Sequence, residues 1–319
     1  MLPSLQTIAS RLRLKQLRLL IALDEQGSLH KAAEHISISQ SGATKALHEI
    51  EAILGMPLFE RQTKGMLPND LGRCVIRYAR LIYSDLAHLR EEMLGIMQGS
   101  GGRLSVGVIM GAMPMMTRAI CRLREKQPDL SVELVENTSA NLLALLDEGR
   151  LDLAICRTSV SQRSDAYEYR MLSQEPLSVV ATAAHPLAGQ QNLTLAQLAD
   201  YRWIVYPAQM PMRQTLEREL EKAGMEVPRH ALETSSTFAT FMLLQEDREL
   251  LAVIPREVAR FGEKFGMLVQ LPVMLPALSP AYGIVRRAGS DITPAAQLLI
   301  EEVLAQLDDA NPAFTPGLA

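Results

Sequence analysis

The sequence predicts a multidomain chain: an all-α winged helix-turn-helix head, a long linker helix, and a larger α/β doubly wound part made of two subdomains. Three observations predict it. Two short helical patterns meet at a tight turn within residues 27–51, an apolar repeat spaced four and three apart follows over residues 75–96, and strands alternate with helices beyond a Gly-rich joint.

At 319 residues and 48 % hydrophobic, the chain has material for two or three cores. The formal net charge of −4 excludes indiscriminate coating of nucleic acid, yet it hides an asymmetry. Residues 1–73 carry nine Lys/Arg against seven Asp/Glu, and the remainder 23 against 29. With so small a local excess, any nucleic-acid contact would have to come from placed residues and from oligomerisation. No run of about 18 uncharged apolar residues occurs, so no membrane partner is expected. Arg11, Arg13 and Lys15 without an apolar h-region argue against secretion. Three widely spaced cysteines, Cys74, Cys121 and Cys156, fit a reduced, cytoplasmic chain in which all three are expected as small buried hydrophobes, with a redox-sensing thiol as the alternative.

In the head, Leu14, Leu17, Leu20, Ile21 and Leu23 recur at helical spacing and stop at Gly27. Ser28 can cap a second helix that turns Ala32, Ala33 and Ile36 inward. After a turn at Ser37–Ile38–Ser39, a third helix buries Ala43, Ala46, Leu47, Ile50 and Leu54 and leaves Gln40, Ser41, Thr44, Lys45 and His48 outside. Ser39, at the start of that helix, is counted with them as a candidate DNA contact. Near a helix N-terminus, Gln can pair with adenine, Thr can touch the thymine methyl, and Lys can reach guanine or phosphate. An ordinary solvated face has the same composition.

The order Gly27-Ser28, Ala32-Ala33, Ile36, Ser39-Gln40, Thr44, Ile50-Glu51, Leu54-Gly55, Leu58-Phe59 and Arg61 closely resembles the N-terminal signature of LysR-type transcriptional regulators. Ser41 stands where that family usually has Pro, and Thr44 where it usually has Ser. Leu58 and Phe59 are expected to lock a wing to the three-helix core. Arg61 and Lys64 lie where that wing would pass the phosphate backbone, although an ion pair with Glu51 or Glu60 is an alternative for Arg61. Pro68, Asn69 and Asp70 give a turn and an N-cap, so a new helix begins near Leu71.

Val75, Ala79, Ile82, Leu86, Leu89, Met93 and Ile96 form a heptad seam. A helix lying on its own domain also needs an apolar stripe, but in the family this resembles, the segment is the dimerisation helix. A dimer sets two reading helices about 34–36 Å apart, or a multiple of that, on a two-fold symmetric DNA site. Gly99-Ser100-Gly101-Gly102 then makes a joint. The expected boundaries are a head over 1–70, a linker over 71–98, a hinge over 99–102 and an effector domain over 103–319.

Beyond the joint, strands are expected at Leu104–Ile109, Val132–Val135 and Leu151–Cys156, with helices at Met113–Lys126 and Asn141–Asp147, as in a parallel doubly wound sheet. Leu177–Thr182, Trp203–Tyr206, Ala252–Ile254 and Tyr282–Arg286 suggest strands of a second unit, and Pro294–Leu307 a final helix. The first subdomain is placed at about 103–174 plus 290–307 and the second at about 175–289. Such a pair describes a periplasmic-binding-protein-like module, the architecture of the LysR effector domain. The resemblance extends to Gly149-Arg150-Leu151-Asp152-Leu153-Ala154, His185-Pro186-Leu187 and Val253-Ile254-Pro255.

Ligands of open α/β sheets bind beyond the carboxyl ends of strands. That rule gives Met110, Gly111, Arg157, Thr158, Tyr206, Pro207, Ala208, Ser236 and Thr237 as candidates. Arg157 is the only charge among them, so the expected effector is an anionic or polyhydroxylated small molecule. Pairing of Arg157 with Asp152 or Asp165 is the alternative. No cofactor, metal cluster or catalytic motif is recognised, which weighs against an α/β enzyme. A solute-binding protein would have no use for residues 12–97. The expected function is bacterial transcriptional regulation, with double-stranded DNA, a small effector, a homodimer or homotetramer, and RNA polymerase as partners.

Overall fold

The computed structural model describes residues 3–62, 65–98, 102–226, 228 and 230–310. The chain divides into two compact units, one built on the head and linker helix, the other on the sheet-containing remainder.

The head opens with a short helix not foreseen above, α1 (Leu5–Arg11), followed by α2 (Leu14–Gln26), α3 (Leu29–His35) and α4 (Gln40–Leu54). The expected apolar stripes meet in one core: Leu17, Leu20 and Leu23 of α2, Ala32 and Ala33 of α3, and Ala43, Leu47, Ile50 and Leu54 of α4. Leu14 lies outside it, half exposed. Ser28 stands at the N-cap of α3 but its side chain makes no capping bond. Ser39 does cap α4, its hydroxyl accepting from the Gly42 N–H at 3.1 Å.

The wing consists of antiparallel β1 (Phe59–Gln62) and β2 (Gly65–Pro68). Leu58 and Phe59 fix it to the same core, as expected. At its other end the Met66 N–H donates to the Gly27 carbonyl at 2.9 Å. A Cβ on Gly65 would stand 2.3 Å from that carbonyl oxygen, so only glycine permits the approach. Asn69 Oδ1 accepts from the Gly72 N–H at 2.8 Å and so caps the long helix α5 (Asp70–Gln98).

Along α5 the heptad seam divides. Ala79 is fully buried and Val75 half-buried, both in the head's own core, because the first turns of the helix lie on α2. These two therefore leave the expected dimerisation set. Ile82, Leu86, Leu89 and Met93 are exposed. Residues 99–101 of the expected hinge lie outside the described residues, and Gly102 has φ +82°.

The second unit holds strands β3 (Arg103–Val108), β4 (Ser131–Glu136), β5 (Leu153–Cys156), β6 (Tyr167–Ala181), β7 (Arg202–Val205), β8 (Leu232–Glu233), β9 (Leu250–Pro255), β10 (Val269–Gln270) and β11 (Leu278–Arg287). They are ordered β4-β3-β5-β11-β6-β9-β7-β8, with β10 beside β6. The helices are α6 (Met113–Lys126), α7 (Ser139–Asp147), α8 (Pro211–Lys222), α9 (Thr237–Glu246), α10 (Arg256–Lys264) and α11 (Pro294–Ala310). β3, β4 and β5 are parallel, as are β7, β8 and β9, but β11 runs antiparallel to β5 and β6, and β6 antiparallel to β9. The expectation of a purely parallel sheet is thus corrected. Two strands pass between the subdomains in opposite directions, and such strands cannot both be parallel to their neighbours.

Each half has its own apolar core. The β6–β11 register shifts between Ser279 and Gly283, and Tyr282, Ile284 and Val285 belong to the first core. The return crossing therefore falls near residue 280, not at 289. Cys156 is buried as expected, whereas Cys74 and Cys121 are exposed on the outer faces of amphipathic helices.

Candidate nucleic-acid interface and effector site

The N-terminal half of α4 projects its polar face as a consequence of helical spacing. Ser41, Thr44, Lys45 and His48 share one open face of the helix, joined by Glu49 and Ala52. Gln40 is exposed in the first turn. The Thr44 hydroxyl donates to the Gln40 carbonyl at 2.9 Å, which fixes its rotamer. The Ser39 hydroxyl is committed to capping and lies 3.2 Å from Ser41 Oγ. Glu49, absent from the expected set, accepts from Gln16 Nε2 at 3.2 Å. Its helical position, four residues from Lys45 and eight from Ser41, is the signal that would have found it. Arg61 sits in β1 opposite Met66. Its side chain, like all of Lys64, lies outside the described residues. Glu51, offered above as a partner of Arg61, accepts from the Leu58 N–H at 2.8 Å.

In the second unit, β3 delivers Met110 and Gly111 into a buried turn, and β5 delivers Arg157 to the place where β6 and β11 cross. Arg157 is 2 % exposed. Its Nη2 donates to Glu175 Oε2 at 2.5 Å and its Nε to the Pro280 carbonyl at 2.8 Å. The expected anion anchor is therefore already neutralised, because a buried guanidinium without a counter-charge is too costly. Its partner is neither Asp152 nor Asp165 but Glu175 in the middle of β6.

Burial pushes the Glu175 carboxyl up, and Arg157 opposes that shift. Oε1 of Glu175 has no hydrogen-bond partner among the described residues. A Cβ on Gly111 would lie 1.7 Å from this oxygen, so the glycine makes room for the carboxylate. Tyr206 is buried beside them, its hydroxyl 3.6 Å from Met110 Sδ. Burial first, then Glu175 and Glu136, raise its phenol well above 10. Met110, Gly111, Arg157 and Tyr206 thus do come together at the crossing. Thr158 and Pro207 are half-buried and Ala208 exposed on the loops after β5 and β7. Ser236 caps α9, accepting from the Ala239 N–H at 3.2 Å, and Thr237 Oγ1 is buried without a partner among the described residues.

Residues 14–73 match the bacterial regulatory helix-turn-helix protein, lysR family, and residues 97–308 match the LysR substrate binding domain. The chain belongs to the LysR family of transcriptional regulators. This LysR-family chain is 31 % identical to the HTH-type transcriptional regulator GbpR of Azospirillum brasilense, over 94 % of its own length and 88 % of that protein. It is 26 % identical to the RuBisCO operon transcriptional regulator of Allochromatium vinosum, with 92 % and 96 % covered. Among solved structures it shares the fold of CbnR, a LysR family transcriptional regulator, at TM-score 0.64 and 20 % identity, covering 93 % of this chain and 99 % of that one. The LysR regulator therefore has a helix-turn-helix head and an effector-binding domain. It is a regulator and not an enzyme.

Proposed function

We propose that the head reads an operator by laying α4 in the major groove, with Gln40, Ser41, Thr44, Lys45 and His48 toward the bases and the wing, through Arg61 and Lys64, along the phosphates. The observation that carries this is the grouping of Ser41, Thr44, Lys45 and His48 on one open face of α4. A full-length CbnR has been solved with its target DNA, which supports the same use of this head. The exposed stretch Ile82, Leu86, Leu89 and Met93 pairs two chains, and dimers associate into tetramers on cytoplasmic DNA, where bound effector alters access for RNA polymerase.

The effector sits between the two subdomains of the second unit. With Arg157 neutralised, Glu175 Oε1 and Thr237 Oγ1, which have no hydrogen-bond partner among the described residues, favour a neutral, hydroxyl-bearing molecule. In a gel-shift titration Thr44→Ala or Lys45→Ala weakens specific binding by about 1–3 kcal/mol and relaxes the sequence preference. Unchanged affinity and preference remove that residue from the base-reading set. A thermal-shift screen of polyols and organic acids tests the effector reading. Stabilisation by polyols that Thr237→Val abolishes supports it, and stabilisation by acids alone sinks it.

A further inference from the structure

The family match in the head begins at Leu14, yet the residues before it build a helix. Ser4 caps α1 by accepting from the Thr7 N–H at 3.2 Å. Ile8 and Leu12 pack half-buried on the head's core, and the helix rests against α4. Seven residues do not sustain a helix alone, so those contacts hold it. What it offers outward is charge. The first 23 residues contain Arg11, Arg13, Lys15 and Arg18 and no Asp or Glu. Arg11 and Arg13 are exposed, and neither side chain has an acidic partner among the described residues.

Two hydrogen bonds tie Arg13 to the reading face of α4, and Arg11 stands two residues before it. The Arg13 N–H donates to Gln16 Oε1 at 3.0 Å, and Gln16 Nε2 donates to Glu49 Oε2 at 3.2 Å. Glu49 shares the open face of α4 with Thr44 and Lys45. A major groove is about 12 Å wide and walled by phosphates on both sides. Cations held just beside a helix that enters it therefore face a wall.

We infer that the end of α1 and the turn into α2 form an accessory clamp on the DNA backbone, in which Arg11, the last residue of α1, and Arg13, the N-cap of α2, bind phosphates flanking the groove that α4 enters. The clamp rests on the reading of α4 proposed above. Its contribution is affinity without base preference, since phosphate contacts position and do not specify.

The test is the salt dependence of operator binding by the full-length chain, wild type against Arg11→Gln/Arg13→Gln. Two lost phosphate contacts reduce the slope of log K against log salt by about 1.8 per head. The fall in affinity between about 50 and 200 mM salt then becomes roughly tenfold smaller per head. Sequence preference stays the same, and Arg11→Lys/Arg13→Lys restores the slope. Both side chains are exposed, so the thermal midpoint is expected to hold.

An unchanged slope and affinity in the double Gln variant overturns the clamp while leaving α4 as reader. An unchanged slope with weakened self-association in sedimentation equilibrium also overturns it, and assigns α1 to contact with a second copy. A wild type that shows no preference for any operator sequence overturns the reading of α4, and the clamp with it.

Discussion

A guanidinium taken out of water must find its counter-charge, and Arg157 finds it in Glu175. Breaking such a pair from one side leaves a buried charge alone. Arg157→Ala is expected to cost about 3–5 kcal/mol in urea unfolding of the second unit, while a double replacement by apolar residues of similar volume recovers most of that loss. Nearly equal stabilities for the wild type and Arg157→Ala would show that the pair contributes little. Nothing in the order of residues marks Glu175 as this partner. The two positions are joined only by the crossing strands, and the nearer Asp152 and Asp165 were the natural candidates by sequence. His185 makes the opposite kind of statement. Its Nδ1 accepts from the Leu187 N–H at 3.0 Å, and burial depresses its pKa from the ordinary 6.5, against the pull of Glu249. The folded state thus prefers the neutral ring. Its stabilisation is complete above about pH 6.5 and is lost as pH falls through the depressed value. His185→Asn should flatten the fall of stability as pH drops below about 6.5; an unaltered slope would assign the dependence to other groups.

At the scale of elements, legibility follows from how local the determinants are. The periodicity of α2 and α4 is complete within each helix, so their buried and exposed faces were both readable. β6 was half visible because its 15 residues serve two cores. Leu177 onward is buried on both faces, whereas Glu168 to Met171 are exposed. α1 was invisible for a related reason: only Ile8 and Leu12 touch the core, too few for a period. The seam of α5 was readable as a stripe, but not its division into a part closed in the head's core and an exposed part. That division can be measured. Leu86→Asp with Leu89→Asp is expected to shift the chain toward monomers in sedimentation equilibrium with little effect on the head's unfolding, because both positions are exposed. Ala79→Asp places a carboxylate in the closed core and should unfold the head itself. Intact dimers in the first variant would move the pairing surface elsewhere on the chain.

At the scale of the whole molecule, family and architecture were legible because the signature of the head is dense and the strand-helix alternation regular. The effector's chemistry was not, since it depends on which charges cancel in three dimensions. A further consequence lies in β11. This strand comes late in the chain yet stands between β5 and β6 in the finished sheet. Until it is synthesised, the first subdomain lacks an inner strand and its core lacks Tyr282, Ile284 and Val285. The head needs nothing beyond α5 for its own core. Domains fold in the order their parts emerge from the ribosome, and pairings between distant segments form slowly. A nascent chain therefore owns a DNA-reading head well before it owns a sensor, and the capacity to respond is the last property this regulator acquires during its synthesis.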